Sequence, residues 1–280
     1  MVGHKARITS LQAFWLFLVG VVLALAWPGA AYSAHVEGPI VRPRPEFMSR
    51  VDYPVGVLMY HVIGEGPNDL YVDEKKFAWQ MEYLARNGYR SITATQYAEA
   101  LKKKKNLPRR SIIITFDDGY ADLYSRAFPV MKKHGFIGVA FVCSSTVGTR
   151  GHVTWEQLKE MEASGWEIGC HTATHPDLTK LEDERLHAEI RGSKAEIERR
   201  LGIKVQSFCY PSGRYNSRVV RAVREAGFSM AFTVNPQWIG PAHGAFELPR
   251  LRVNGSDSGD RFVKMVSSSP PPKRERLCWW

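Results

Sequence analysis

Ser111-Ile112-Ile113-Ile114-Thr115-Phe116-Asp117-Asp118-Gly119 is the stretch that decides the reading of this chain. Six β-prone residues, most of them apolar, run without a break into two carboxylates and a glycine. A continuous apolar strand is one buried on both faces, as in a parallel sheet covered by helices. Successive strand residues point to opposite sides, but Gly119 permits a sharp turn that can bring both carboxylates to one place. Two close carboxylates repel, and one takes up a proton unless a cation lies beside them. A turn or helix cap at Asp118-Gly119 is the plain structural alternative.

The pattern repeats outward from there. β-rich apolar runs at 55–60, 137–142, 166–170, 206–210 and 230–234 alternate with helix-like segments at 73–87, 121–134, 155–164, 181–201 and 217–226. Each helical segment stops at a glycine: Gly88, Gly135, Gly165, Gly202 and Gly227. That is how helices end before an αβ turn. Thr154 with Gln157 reads as a capping box. Alternating strands and helices imply an α/β fold, and roughly 220 residues suit a barrel of βα units better than an open sheet. No period of 20–50 residues points to a solenoid or propeller.

In such barrels the functional residues gather at the C-terminal ends of the strands. The polar residues fall there. Val57-Leu58-Met59-Tyr60 runs into His61, and Trp166-Glu167-Ile168-Gly169-Cys170 into His171-Thr172-Ala173-Thr174-His175-Pro176. Ser207-Phe208-Cys209-Tyr210 runs into Pro211-Ser212-Gly213. Pro176 disfavours helical geometry at His175, so a curved loop is expected to carry the two imidazoles. Alone, the pair also reads as two surface histidines. Taken with Asp117 and Asp118 it makes two nitrogens and one carboxylate, a facial set that leaves positions open for water and substrate. The remaining carboxylate is then available as a general base.

Thr115-Phe116-Asp117-Asp118-Gly119 followed by His171-Thr172-Ala173-Thr174-His175-Pro176 resembles the polysaccharide deacetylase family, the NodB-homology carbohydrate esterases, over residues 52–265. The resemblance implies a distorted (β/α)7 barrel, and metal-dependent removal of N-acetyl groups from amino-sugar polymers. It implies that Asp117 is the base deprotonating the attacking water. It implies that Asp118, His171 and His175 hold one divalent ion, zinc in the first place, with cobalt, nickel or iron as alternatives. Tyr210-Pro211-Ser212-Gly213 stands at the family's third motif. There the Tyr210 N–H is expected to stabilise the oxyanion, with Pro211 beside the substrate.

The chain departs from the family pattern twice. No arginine stands in Phe208-Cys209-Tyr210-Pro211, where the family has one to steady the catalytic aspartate. Arg250, in Leu248-Pro249-Arg250-Leu251 on the last expected strand, is assigned as the partner of Asp117, a surface ion pair being the alternative. The late Leu-x-His motif that normally brings the general acid is also missing, and the only later histidine is His243. Met59-Tyr60-His61 resembles the subgroup acting on poly-β-1,6-N-acetylglucosamine, in which the acid comes from the start of the domain. His61 is therefore expected to protonate the leaving amine, with packing under the barrel rim as the alternative. Tyr120 is expected to line the groove and Trp238 to stack on a sugar. Trp155 and Trp166 are expected in the core, and Cys143, Cys170 and Cys209 as buried thiols.

Both ends read as separate from the fold. His4, Lys5 and Arg7 precede an apolar run from Phe14 to Trp27 and then small residues, the order of a secretory signal peptide over residues 1–33. Contact with a membrane is expected only if that segment stays uncleaved. Residues 34–50 read as an extended lead-in, 51–266 as one deacetylase domain and 267–280 as a loose tail. The 38 basic and 28 acidic residues leave a net charge of +10. No helix-turn-helix, zinc-finger or aromatic RNA-binding signature accompanies it, so nucleic acid is not an expected partner. The expected partner is an acetylated amino-sugar polymer. The expected activity is N-deacetylation of poly-β-1,6-N-acetylglucosamine, with peptidoglycan or chito-oligosaccharide as alternative substrates. A silent carbohydrate-binding protein on the same barrel is the alternative of another class.

Overall fold

The computed structural model describes residues 54–103, 105–240 and 243–268. The expected signal peptide and lead-in, and the tail beyond Ser268, lie outside these residues. Among the described residues the order is β1 (Gly56–Tyr60), β2 (Val62–Ile63), β3 (Tyr71–Val72), α1 (Glu74–Arg86), β4 (Arg90–Ser91), α2 (Ala94–Lys102), β5 (Ser111–Phe116), α3 (Phe128–Lys133), β6 (Val139–Val142), α4 (Trp155–Ala163), β7 (Glu167–Cys170), α5 (Asp183–His187), α6 (Ser193–Leu201), β8 (Ser207–Cys209), α7 (Ser217–Glu225), β9 (Met230–Phe232), β10 (Leu251–Arg252) and α8 (Gly259–Ser267). No helix among them is long and apolar enough to cross a membrane.

The main sheet is parallel, in the order β10-β1-β5-β6-β7-β8-β9, with β4 beside the start of β5. One segment curls it round. Leu248 N–H donates to Ala231 O at 2.9 Å and Arg250 N–H to Asn235 O at 2.9 Å, tying this stretch to β9. The next residue, Leu251, opens β10 and pairs with Leu58 of β1. The result is the distorted (β/α)7 barrel.

Strand alternation divides the core in two. Val57, Ile113, Phe141, Cys209 and Phe232 cluster together on the inner side. Leu58, Ile114, Phe116, Ile168 and Phe208 pack outward against helix residues such as Phe77, Met131, Leu158, Ile190 and Val223. The inner space is tight: a Cβ on Gly169 would lie 2.5 Å from the Phe141 ring and 2.8 Å from Ser207 Oγ. Thr95, at the start of α2, donates its N–H to Glu167 Oε2 at 2.7 Å, anchoring that helix to β7. Carried past the strand ends, the inner parity is that of His61, Asp117 and His171.

The helices refine the sequence reading. Asp73 caps α1, and the Thr154–Gln157 capping box opens α4. Segment 121–134 is not one α-helix: a π turn over Leu123–Ala127 precedes α3. Pro129 has no N–H to give to Ser125 O, and the turn before it widens. Segment 181–201 starts at Asp183 and carries a second π turn at Ala188–Gly192. Helices α2 and α8 were not among the expected ones, although α2 opens on its own capping box, Thr93 with Gln96. Ser267, expected in the tail, ends α8. Trp166 is buried, whereas Trp155 is only half-buried, with the Arg200 guanidinium 5.5 Å over its ring.

Candidate active site

Asp117 leaves β5 on the inner parity and is buried. Arg250 Nη1 donates to its Oδ1 at 2.7 Å and Nη2 to its Oδ2 at 2.7 Å, a bidentate pair. The remaining guanidinium hydrogens go to Thr233 O (2.8 Å), Thr115 Oγ1 (3.0 Å) and Cys209 Sγ (3.1 Å), so all five donors are used. Arg250 is fully buried, and the Asp117 charge more than offsets the burial that disfavours its charged form. Burial alone would raise the Asp117 carboxyl; the charge and hydrogen bonds of Arg250 outweigh this and hold it well below the usual carboxylate range. Cys209 fills the gap in the third motif. Its thiol donates to Asp117 Oδ2 at 3.6 Å while accepting from Arg250. The sequence reading gave Cys209 no such contact; its place two residues after inward Ser207 on β8 is the signal that was there.

Asp118 turns the other way. Its φ of 70°, followed by 75° at Gly119, swings the carboxylate out of the strand direction. Asp118 Oδ1 lies 3.5 Å from His171 Nε2 and 3.5 Å from His175 Nε2. The donor atoms of the three all lie within 4.8 Å of one another. The loop between the histidines is curved, with Thr172 at φ 71° and His175 at φ 60°. The His171 ring nitrogen Nδ1 donates to Cys209 O at 2.8 Å, which leaves the Nε2 lone pair facing Asp118. Burial raises the Asp118 carboxyl and the neighbouring Asp117 charge adds to that. Burial also lowers the His171 imidazole. Two imidazoles and one carboxylate, converging on one point, form a donor set for a divalent cation. Donors around a tetrahedral cation with bonds of about 2.0–2.2 Å stand about 3.3–3.6 Å apart, so the two carboxylate–imidazole separations of 3.5 Å fit.

His61 follows β1 directly, its Nε2 3.9 Å from Asp117 Oδ2. Burial pushes its imidazole below the ordinary histidine value, against the pull of Asp117. Tyr120 also lies at this end. Its ring stacks on His152 at 5.3 Å, and the Asp118 charge adds to burial in raising its hydroxyl. A backbone stitch, Ala121 N–H to Gly151 O at 2.9 Å, holds this pair of loops together.

Two expectations are corrected. The Tyr210 N–H is not available for an oxyanion: it donates to Phe232 O at 3.1 Å, extending the β8–β9 ladder. Its ring is buried, with the hydroxyl bonded to Phe246 O at 3.0 Å. Pro211 beside it is also buried and has no N–H. The next N–H belongs to Ser212, whose φ is 53° and which has no backbone acceptor among the described residues. Trp238 is far from the site. It packs under Gly56 at the start of β1, where a Cβ would meet its ring at 3.0 Å, and lines a cleft with Arg109, Arg110 and Ser111 at the N-terminal end of β5. Its loop pairs Ile239 with Val55, which pulls it to the opposite end of the barrel.

Cys143, Cys170 and Cys209 are buried free thiols. Cys170 faces away from the donor set and contacts Ser193 Oγ at 2.8 Å.

Comparison with known proteins points to one family. The polysaccharide deacetylase family profile matches residues 104–231. A Bacillus subtilis (strain 168) polysaccharide deacetylase, YxkH, whose name marks its activity as provisional, is 34% identical over 212 residues, 76% of each chain. The Staphylococcus aureus (strain MRSA252) poly-beta-1,6-N-acetyl-D-glucosamine N-deacetylase is 23% identical over 207 residues, 69% of this chain and 71% of that one. The solved structure of Streptococcus pyogenes deacetylase PplD in complex with acetate superposes with a TM-score of 0.72 at 25% identity, covering 76% of this chain and 98% of that one.

Proposed function

The chain belongs to the polysaccharide deacetylase family, amide hydrolases of acetamido groups, and on that premise we propose that it is an exported N-deacetylase of poly-β-1,6-N-acetylglucosamine, releasing acetate and leaving free amines. Export rests on the leader-like order of residues 1–33. The linkage rests on His61 standing directly after the first strand, 3.9 Å from an Asp117 that is paired to Arg250 rather than to an arginine of the third motif. The S. aureus relative named for that polymer supports the same reading.

Asp118, His171 and His175 would hold the divalent ion, and zinc suits a set of two imidazoles and one carboxylate. Such an ion supplies Lewis-acid polarisation of the acetyl carbonyl and of the attacking water. Asp117 is the general base and takes the proton that the water loses. Its carboxyl is held low by Arg250, so it keeps that proton weakly. His61, with Nε2 3.9 Å from Asp117 Oδ2, takes the proton on and gives it to the leaving nitrogen. The Ser212 N–H replaces that of Tyr210 as the backbone donor to the oxyanion. Tyr120, beside Asp118, borders the sugar-binding groove.

The test is a panel. The metal-loaded protein is incubated with β-1,6-linked N-acetylglucosamine oligomers, chito-oligosaccharides and peptidoglycan fragments, and acetate and free amine are measured with and without chelator. Chelator-sensitive release from the β-1,6 oligomers is expected. Release from peptidoglycan alone would reassign the substrate, and no release from any glycan would sink the enzymatic reading.

A further inference from the structure

Glu189 is a carboxylate buried to 5% exposure beside the loop that carries both histidine donors. Its Oε2 accepts the N–H groups of Ala173 and Thr174, each at 2.9 Å, and its Oε1 accepts the Thr174 hydroxyl at 2.6 Å. These are the residues between His171 and His175. A buried carboxylate is costly unless its lone pairs are met, and here three donors from one short loop meet them.

That loop needs an outside restraint. Thr172 and His175 both sit in the left-handed region, at φ 71° and 60°, which side-chain-bearing residues adopt only when their surroundings impose it. Within the loop the His175 N–H reaches Thr172 Oγ1 at 3.0 Å. The two N–H groups between point outward to Glu189. The π turn at Ala188–Gly192 widens the helix where this side chain emerges, and both Glu189 and Ile190 are buried there. Such turns recur at functional sites.

We propose that Glu189 is a positioning residue for the cation: by binding the Ala173 and Thr174 N–H groups it holds the loop in the curve that sets the two imidazoles against Asp118. It touches neither substrate nor metal and acts through the backbone. The inference rests on the metal reading above and adds to it a residue outside the paired motifs. Partners that orient metal ligands typically matter about 10- to 100-fold in affinity.

The experiment is a calorimetric titration of the metal-free full chain with Zn²⁺, beside thermal unfolding of the same samples. For Glu189→Met, Kd is expected to rise about 10- to 100-fold, because methionine offers the loop's N–H groups no comparable acceptor. Thr174→Val, which removes only the hydroxyl bond, is expected to give a smaller rise in the same direction and decides the matter if Glu189→Met fails to fold. Variants with wild-type Kd overturn the inference alone. So does a lowered unfolding midpoint with Kd unmoved, since that is a purely structural role. A wild-type chain that binds no ion overturns the metal reading and the inference together.

Discussion

The barrel interior below Asp117 and the rim at Asp118 settle two adjacent negative charges in opposite ways. Asp117 meets a buried guanidinium with two parallel bonds, and a thiol and a threonine hydroxyl complete the arrangement. Asp118 meets two imidazoles, and burial discourages the His171 ring from carrying charge. One charge is met within the protein, whereas the other faces a set of donors that a divalent cation would complete. The lesson is a division of labour set by charge: the compensated carboxylate is suited to stay ionised, and its neighbour is suited to join the two imidazoles around a cation.

The sharpest way to break that division is to neutralise each half in turn. Asp117→Asn keeps the shape and removes the base. Turnover should fall by about 10²- to 10⁴-fold with metal affinity unchanged by calorimetry. His171→Ala should lose metal binding and turnover together. Equal loss of metal by both variants would mean that the two compartments are one.

Arg250→Met tests the interior half through stability. It strands a buried carboxylate, at a cost of about 3–5 kcal/mol, read by denaturant unfolding at pH 7. The sign with pH follows from the depressed Asp117 value. The pair contributes fully above the unfolded carboxylate value of about 3.9 and is lost as pH falls through the lower folded one. The gap between wild type and variant should therefore narrow in acid. A gap that widens below pH 4 contradicts the pairing.

The smallest effect belongs to the far end. Trp238→Ala should leave kcat and KM for a glycan substrate unchanged, since the ring packs under Gly56. A clear rise in KM would put a sugar where the geometry places none.

Much of the site was legible because strand periodicity is strict. The runs ending in His61, Asp117 and His171 each show apolar residues up to the point where the chain leaves the sheet. Arg250 was readable as a missing partner, because a family position was vacant and one later arginine followed an expected strand. Other residues gave no such signal. Tyr210 looked like a donor because a sequence does not say whether an N–H is already engaged in a ladder. Trp238 looked like a rim residue because loop length does not say which end of the barrel the loop visits. The two π turns hid inside helical periodicity, and with them the inward turn of Glu189.

The amino-acid order by itself determined the alternation of buried strands and helices, the glycine stops, and the chemistry of the paired Asp-Asp and His-His motifs, since these follow from local period and side-chain type. Only the tertiary structure decided which charge compensates which. The Arg250–Asp117 pair, the grip of Cys209 O on His171 and the hold of Glu189 on its loop each join residues brought together by closure of the sheet and packing of its helices. Burial then makes those pairings strong, because a charge removed from water must find its partner within the protein.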